Sequence, residues 1–256
     1  MARNTVDDDV QRVNLDDATI TETPVGAPLV PRLPLRMRST EIMTVFYRTD
    51  PEAVARLLPS QLEQFGDLVI VQLYRMHDAD WFGAYGESAI QLPARHAASG
   101  TVGAYSPYLF VESDGAIAAG REIYGQPKKQ AAVMLAVDGD LLVGRVTRNG
   151  IDVLTATMAY KQQPGAEADL ERHAPFRTNL NLKVVPSVDG GIAVRELTAR
   201  TLADVDVHWV WRGAGTVELR PNAQAPLHML PVRDVVEAFH WSVDFTLVHG
   251  EVLEQL

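Results

Sequence analysis

Two adjacent lysines, Lys128 and Lys129, stand in a chain of 256 residues that uses lysine only four times. The other two are Lys161 and Lys183, and the remaining 19 of the 23 basic residues are arginines. Surface charge has been given to arginine, so the lysines raise the question of what an amine can do that a guanidinium cannot. An amine can lose its proton when desolvated and then attack a carbonyl carbon to form an imine. That imine withdraws electrons and stabilises a carbanion on the adjacent carbon, which β-keto acid decarboxylation, aldol addition and enamine protonation all require. The plain alternative is an exposed basic pair in a turn, because charged side chains are seldom buried unpaired.

The segment that carries the lysines reads as extended, since Pro127 fixes its own φ and pushes Gln126 out of the helical region. Neighbouring side chains on an extended chain point to opposite faces, so Lys128 and Lys129 cannot enter the same pocket. With Lys128 inward, desolvation is the main influence expected to free its amine, and the Lys129 ammonium a more distant one. Around this segment the pattern is β almost throughout. Strands are expected over residues 41–47 and 67–76, the second with Gln72 as a polar side chain among apolar neighbours that needs a partner in the backbone or in a site. A short helix starts at Asp50-Pro51-Glu52 and stops at Pro59. Residues 77–88 are rich in turn residues and aromatics. Further strands are expected over 107–112, 116–119 and 130–137. Hairpins are expected for 141–147 with 151–161 through Arg148-Asn149-Gly150, for 180–186 with 192–200, and for 205–211 with 216–220 through Gly213-Ala214-Gly215. Residues 231–239 read as a helix and 241–248 as a terminal strand. The fold class is therefore mainly β: an antiparallel, closed or nearly closed β-barrel with a few helices. Residues 1–30 read as a mobile N-terminal arm, and 31–256 as a single domain.

Bulk properties narrow the function. A formal charge of −10 and a pI near 5.1 oppose a nucleic-acid partner, which needs a basic face. Without cysteine there are no disulfides and no thiolate chemistry, and with no signal-like or membrane-length apolar run a cytoplasmic protein is expected, with no membrane partner. The seven histidines never fall at the spacing of a compact metal site, so no metal is expected. Neither a dinucleotide-binding glycine motif nor a phosphate-binding loop occurs, and Gly86-Glu87-Ser88-Ala89-Ile90 is not a serine-hydrolase elbow. No cofactor is expected. What remains is a lysine with an acid in reach.

The chain resembles the acetoacetate decarboxylase family over about residues 47–245. The resemblance is carried by Tyr47-Arg48-Thr49-Asp50, Leu58-Pro59 with Leu62, Met76-His77-Asp78, Tyr85-Gly86-Glu87-Ser88 and Gly120-Arg121-Glu122 with Pro127-Lys128-Lys129. It continues through Ala156-Thr157-Met158, Tyr160-Lys161, Ala225-Pro226-Leu227 and Leu230-Pro231-Val232. It implies that Lys128 is the Schiff-base lysine, Lys129 its pKa-tuning neighbour and Glu87 an active-site acid. This family is itself the known case of a lysine activated by a neighbouring cation, so that activation comes with the resemblance. It further implies a lyase acting on a small keto acid, assembled as a homo-oligomer. Three positions depart from the family pattern: Thr40 stands in place of an arginine, Gln72 in place of a second glutamate, and Gln126 in place of an aromatic residue. Thr40, Gln72, Gln126 and Arg121 are accordingly candidate substrate-binding residues. Imine chemistry in these surroundings is expected to decarboxylate a β-keto acid or, alternatively, to condense pyruvate with an aldehyde and dehydrate the product. A non-catalytic β-barrel that binds a ligand in the same pocket is the third expectation.

Overall fold

A computed structural model describes residues 22–173 and 177–256 of the chain. Most of the expected N-terminal arm, residues 1–21, lies outside the described residues. Its end turns back on itself, with the Glu22 carboxylate accepting from the backbone N–H groups of Leu29 (2.7 Å) and Val30 (3.0 Å).

The chain opens with β1 (Leu35–Arg48), helix α1 (Pro51–Ala55), β2 (Leu62–Gln64), β3 (Leu68–Ala79), β4 (Gly83–His96) and β5 (Val102–Val111). Helix α2 (Asp114–Ala119) runs straight into a π-helical turn, Gly120–Tyr124, and then into β6 (Lys128–Gln130). Three strands follow, β7 (Ala132–Asp138), β8 (Leu141–Arg148) and β9 (Ile151–Ala159), and then β10 (Gln163–Pro164) and α3 (Glu167–Glu171). The last third holds β11 (Thr178–Pro186), β12 (Ile192–Thr201), β13 (Ala203–Gly213), β14 (Gly215–Leu219), β15 (Asp234–Leu247) and β16 (Glu251–Gln255).

The mainly β class holds. The strands form a 12-stranded sheet in the order β10-β13-β15-β1-β3-β4-β5-β11-β12-β16, with β2 added on β4 and β6 on β5, and a four-stranded sheet β14-β9-β8-β7. The order of the large sheet is a linear path that does not close by hydrogen bonding among the described residues, and β5 pairs in parallel with both β6 and β11. Strand alternation sends Val69, Val71 and Leu73 of β3 and Ile90 and Leu92 of β4 to one face. There they pack with Val133, Leu142, Val146, Leu154 and Met158 of the small sheet in one apolar core. Leu73 lies so close over β8 that a Cβ on Gly144 would fall 2.8 Å from its Cδ2.

Three local expectations are corrected. Residues 116–119 are helical because the Ser113 hydroxyl accepts from the Ala116 N–H (3.3 Å) and alanine-rich Gly-Ala-Ile-Ala-Ala follows that cap. Residues 234–239 belong to strand β15, where Val235, Val236 and Phe239 suit a pleated surface; Val235 pairs with Tyr47 of β1, and Phe239 pairs with Thr44 of β1 and Arg212 of β13. Strands β13 and β14 are not a hairpin: β13 pairs with β15, and β14 with β9 in the other sheet. The glycines between them make that crossing possible. A Cβ on Gly213 would lie 2.6 Å from the Ala159 carbonyl oxygen, and one on Gly215 2.5 Å from the Ala238 Cβ.

Candidate active site

Lys128 is delivered by an unusual local path. After α2 the π-helical turn ends at Gly125, whose φ of +80° is open to glycine and whose missing Cβ leaves room for the Lys183 backbone, with Cα 2.4 Å from where it would stand. The Gln126 N–H donates back to the Gly120 carbonyl (2.9 Å), and Pro127 leads into β6. There Lys128 lies opposite Leu109, and Lys129 opposite Phe110, in parallel register with β5. Alternation then separates the two lysines. Lys128 points inward and is only 8% exposed, whereas Lys129 points outward and donates to the Gln224 carbonyl (2.9 Å). Partial burial, with lesser contributions from the Arg148 and Arg121 cations, lowers the Lys129 pKa from its ordinary value. The Lys128 stem runs across Gly120, where an added Cβ would sit 2.5 Å from its Cδ and 2.6 Å from its Cε.

The amine meets a carboxylate. Lys128 Nζ donates to Glu87 Oε2 at 3.0 Å, and Glu87 is also 8% exposed. Glu87 comes from β4, opposite Tyr74 of β3 and Val111 of β5. Close by, Glu112 fastens this part of β4 by accepting from the N–H groups of Gly86 (2.8 Å) and Val133 (3.0 Å). Lysine and glutamate line a cavity of about 70 Å³, room for several waters or one small organic molecule at ~10–15 Å³ per water on this measure. One part of its wall is apolar, with Leu35, Met37, Phe82, Phe245 and Leu247. Another is polar, with Gln91, Ser106, Gln126, Asn179 and Arg200. Tyr74 and Tyr85 complete it, and burial, with the Glu87 charge as a smaller cause, pushes both phenols well above their ordinary pKa.

The candidate substrate-binding residues separate by depth. Gln126 lines the cavity beside Lys128. Gln72 does not reach it: its amide is satisfied by the Tyr74 hydroxyl, which donates to Gln72 Oε1, and by Thr44 Oγ1 (3.4 Å). Thr40 likewise stands behind a lining residue, with its hydroxyl 3.4 Å from the Met76 sulfur. Arg121 is exposed and donates to the Lys128 backbone carbonyl (3.4 Å), outside the cavity. Arg200, Asn179, Gln91 and Ser106 were not singled out by sequence reasoning. Arginine and asparagine in a strand ordinarily mark its solvent side, and here both faces of β12 are covered over residues 197–200: Leu197 and Ala199 lie in one apolar cluster while Arg200 enters the cavity.

A family model described as "Acetoacetate decarboxylase (ADC)" matches residues 20–256. The chain belongs to the acetoacetate decarboxylase family. It is 38% identical over 243 residues to a protein named acetoacetate decarboxylase from Acidiphilium cryptum, covering 93% of this chain and 98% of that one. It is 35% identical over 231 residues to an acetoacetate decarboxylase from Clostridium acetobutylicum, covering 90% and 93%. In three dimensions it is similar to the crystal structure of acetoacetate decarboxylase from Legionella pneumophila, with a TM-score of 0.85 at 33% identity over 95% of this chain and 98% of that one. Membership of this family of lyases agrees with a buried lysine–carboxylate pair in a small cavity. No helix among the described residues is long and apolar enough to cross a membrane.

Proposed function

We propose that the protein decarboxylates a small β-keto acid of the acetoacetate type through an imine on Lys128. One observation carries the reading: the Lys128 amine, nine-tenths buried and 3.0 Å from the Glu87 carboxylate, faces a cavity of small-molecule size. Glu87 takes a proton from Nζ, and the free amine adds to the keto carbon of the substrate. Loss of water from the carbinolamine leaves an iminium. The bond to the carboxylate carbon then breaks, its electron pair moves into the iminium to give a neutral enamine, and CO2 departs. A proton returns to the enamine carbon, and water hydrolyses the imine to release the ketone and restore Lys128. The balance is one keto acid anion and one proton in, one ketone and one CO2 out. Glu87 is positioned to hold and return the proton at Nζ, and Lys129, on the outer side of the same strand, is the more distant cation. Arg121 supports the β6 backbone, and Gln72 and Thr40 act through Tyr74 and Met76.

A second reading, condensation of pyruvate with an aldehyde followed by dehydration, is favoured by Gln126. Its amide adds to the wall beside Lys128 a donor and an acceptor that loss of CO2 does not need. Incubation with acetoacetate tests the first reading: CO2 and acetone in equal amounts, lost in Lys128→Ala, are expected. An unsaturated product from pyruvate plus aldehyde, with no CO2 from acetoacetate, would move the assignment to the second.

The large sheet is best described as a nearly closed barrel curled about this cavity, since strands from β15 through β1, β3, β4 and β5 to β12 all contribute lining residues. A cytoplasmic homo-oligomer goes with the reading, supported by the lack of cysteine and by exposed Val184, Ile192 and Val252 on the neighbouring strands β11, β12 and β16. Mass photometry that found only a 28 kDa species would remove the oligomer.

A further inference from the structure

Arg200 is the charged group in the cavity that the imine chemistry leaves without a task. It is 6% exposed and held in place by one bond, from its terminal nitrogen to Asn179 Oδ1, and by the Tyr124 ring, whose centroid lies 5.3 Å from the guanidinium carbon. Its Nε and its other terminal nitrogen, Nη1, have no hydrogen-bond partner among the described residues. No carboxylate forms an ion pair with it among those residues, although its field reaches Glu87, Tyr74 and Tyr85. An arginine buried with open donors is costly unless something that it binds completes it.

We infer that Arg200, oriented by Asn179, receives the carboxylate of the substrate, and that the cavity selects monoanionic keto acids with an apolar remainder. This rests on the imine reading above for the word keto; the anion site stands on geometry alone. Guanidinium donors match the two oxygens of a carboxylate. Charge in the cavity agrees with one anion and no more. Lys128 and Glu87 share a proton and sum to zero whichever holds it, so Arg200 leaves a balance of one positive charge. A dianionic keto acid would bring a second charge to the wall of Leu35, Met37, Phe82 and Phe245, which offers it no donor. A guanidinium on the carboxylate holds the bound substrate and a transition state whose C–C bond is only partly broken about equally, so it strengthens binding without lowering the barrier between them. Its loss is therefore expected to appear in KM and not in kcat.

The test compares the parent with Arg200→Gln. With acetoacetate, KM is expected to rise about 30- to 100-fold, the range for losing bonds from a charged donor, while kcat falls by less than about threefold. Trapping of the neutral diketone 2,4-pentanedione on Lys128 is expected to be unchanged, and Tm to be equal or higher because an uncompensated buried charge has gone. The parent is expected to use 3-oxohexanoate and to reject the dianion 3-oxoglutarate. An unchanged KM, a parallel loss of the anionic and the neutral probe, or equal use of the dianion overturns the assignment. If Arg200→Gln does not fold, Asn179→Leu reads the same contact with an expected rise in KM of about 3- to 10-fold, and no rise overturns it. If the parent traps no imine with either probe, the imine reading has failed and the anion site is read by acetate alone. Acetate should then raise the Tm of the parent and not of Arg200→Gln or Asn179→Leu, and no shift in the parent overturns it.

Discussion

The two faces of strands β3 and β4 differ as sharply as any two parts of the molecule. Toward the small sheet they present Val69, Val71, Leu73, Ile90 and Leu92, fully buried in an apolar core with no chemistry. Toward the cavity the same strands present Tyr74, Met76, Glu87, Ala89 and Gln91. Alternation lets one strand do both, because a residue and its neighbour never share a surroundings. The lesson is one of division: the inter-sheet core supplies stability, and the cavity face is free to bury groups that cost stability, among them a lysine–glutamate pair and an arginine with open donors. Substitutions on the two faces should therefore fail in different ways.

Glu87→Gln is the sharpest probe of the cavity face. It should lower kcat/KM by about 10²- to 10⁴-fold, the range for removal of a positioned acid–base group, with Tm close to that of the parent; steady-state kinetics and calorimetry together check it. Leu73→Ala on the opposite face should do the reverse. It should cost about 2–5 kcal/mol of stability for a buried leucine while kcat per folded molecule, measured below the transition, stays within a factor of about two. Equal damage to activity and stability in both variants would break the division. Gly120→Ala probes the support of Lys128 directly, because the added methyl takes the place of its Cδ and Cε. A displaced amine should lose on the order of 10² in rate, without the loss of stability expected for Leu73→Ala.

The smallest effect concerns Glu41, which bridges His240 (2.6 Å) and His77 (3.3 Å) away from the cavity. The bond from His240 lowers the Glu41 pKa, against an opposing effect of burial. A carboxylate with a depressed folded pKa stabilises the fold fully above its unfolded value of about 4.3, and that stability is lost as pH falls through the lower folded value. Glu41→Gln should thus lower Tm by a few degrees at neutral pH, with the difference from the parent vanishing in acid. A difference that grew in acid would contradict the sign.

Lys128 and Glu87 were legible because their signals are local. Pro127 and strand alternation separate the two lysines within three residues, and Tyr85-Gly86-Glu87-Ser88 is a contiguous motif. The hairpin through Arg148-Asn149-Gly150 was legible for the same reason. Arg200 was not, since its facing depends on the two-residue parallel contact of β11 with β5, which leaves no local mark. Gln72 and Thr40 occupy positions matched to the family yet stand one layer behind the wall, because Tyr74 and Met76, two residues on and four strand steps away from Gln72 at most, are the longer side chains that reach the cavity. The crossing at Gly213-Ala214-Gly215 looks like a turn in sequence; only the contacts with Ala159 and Ala238 reveal that it joins two sheets.

On the proposed reaction, one amine of an adjacent pair forms the imine. Borohydride reduction in the presence of acetoacetate, followed by peptide mapping, shows which amine reacts. A single stable adduct is expected on Lys128, none on Lys129, and none at all in Lys128→Ala. An adduct on Lys129, or full protection of activity against borohydride with acetoacetate bound, would contradict it.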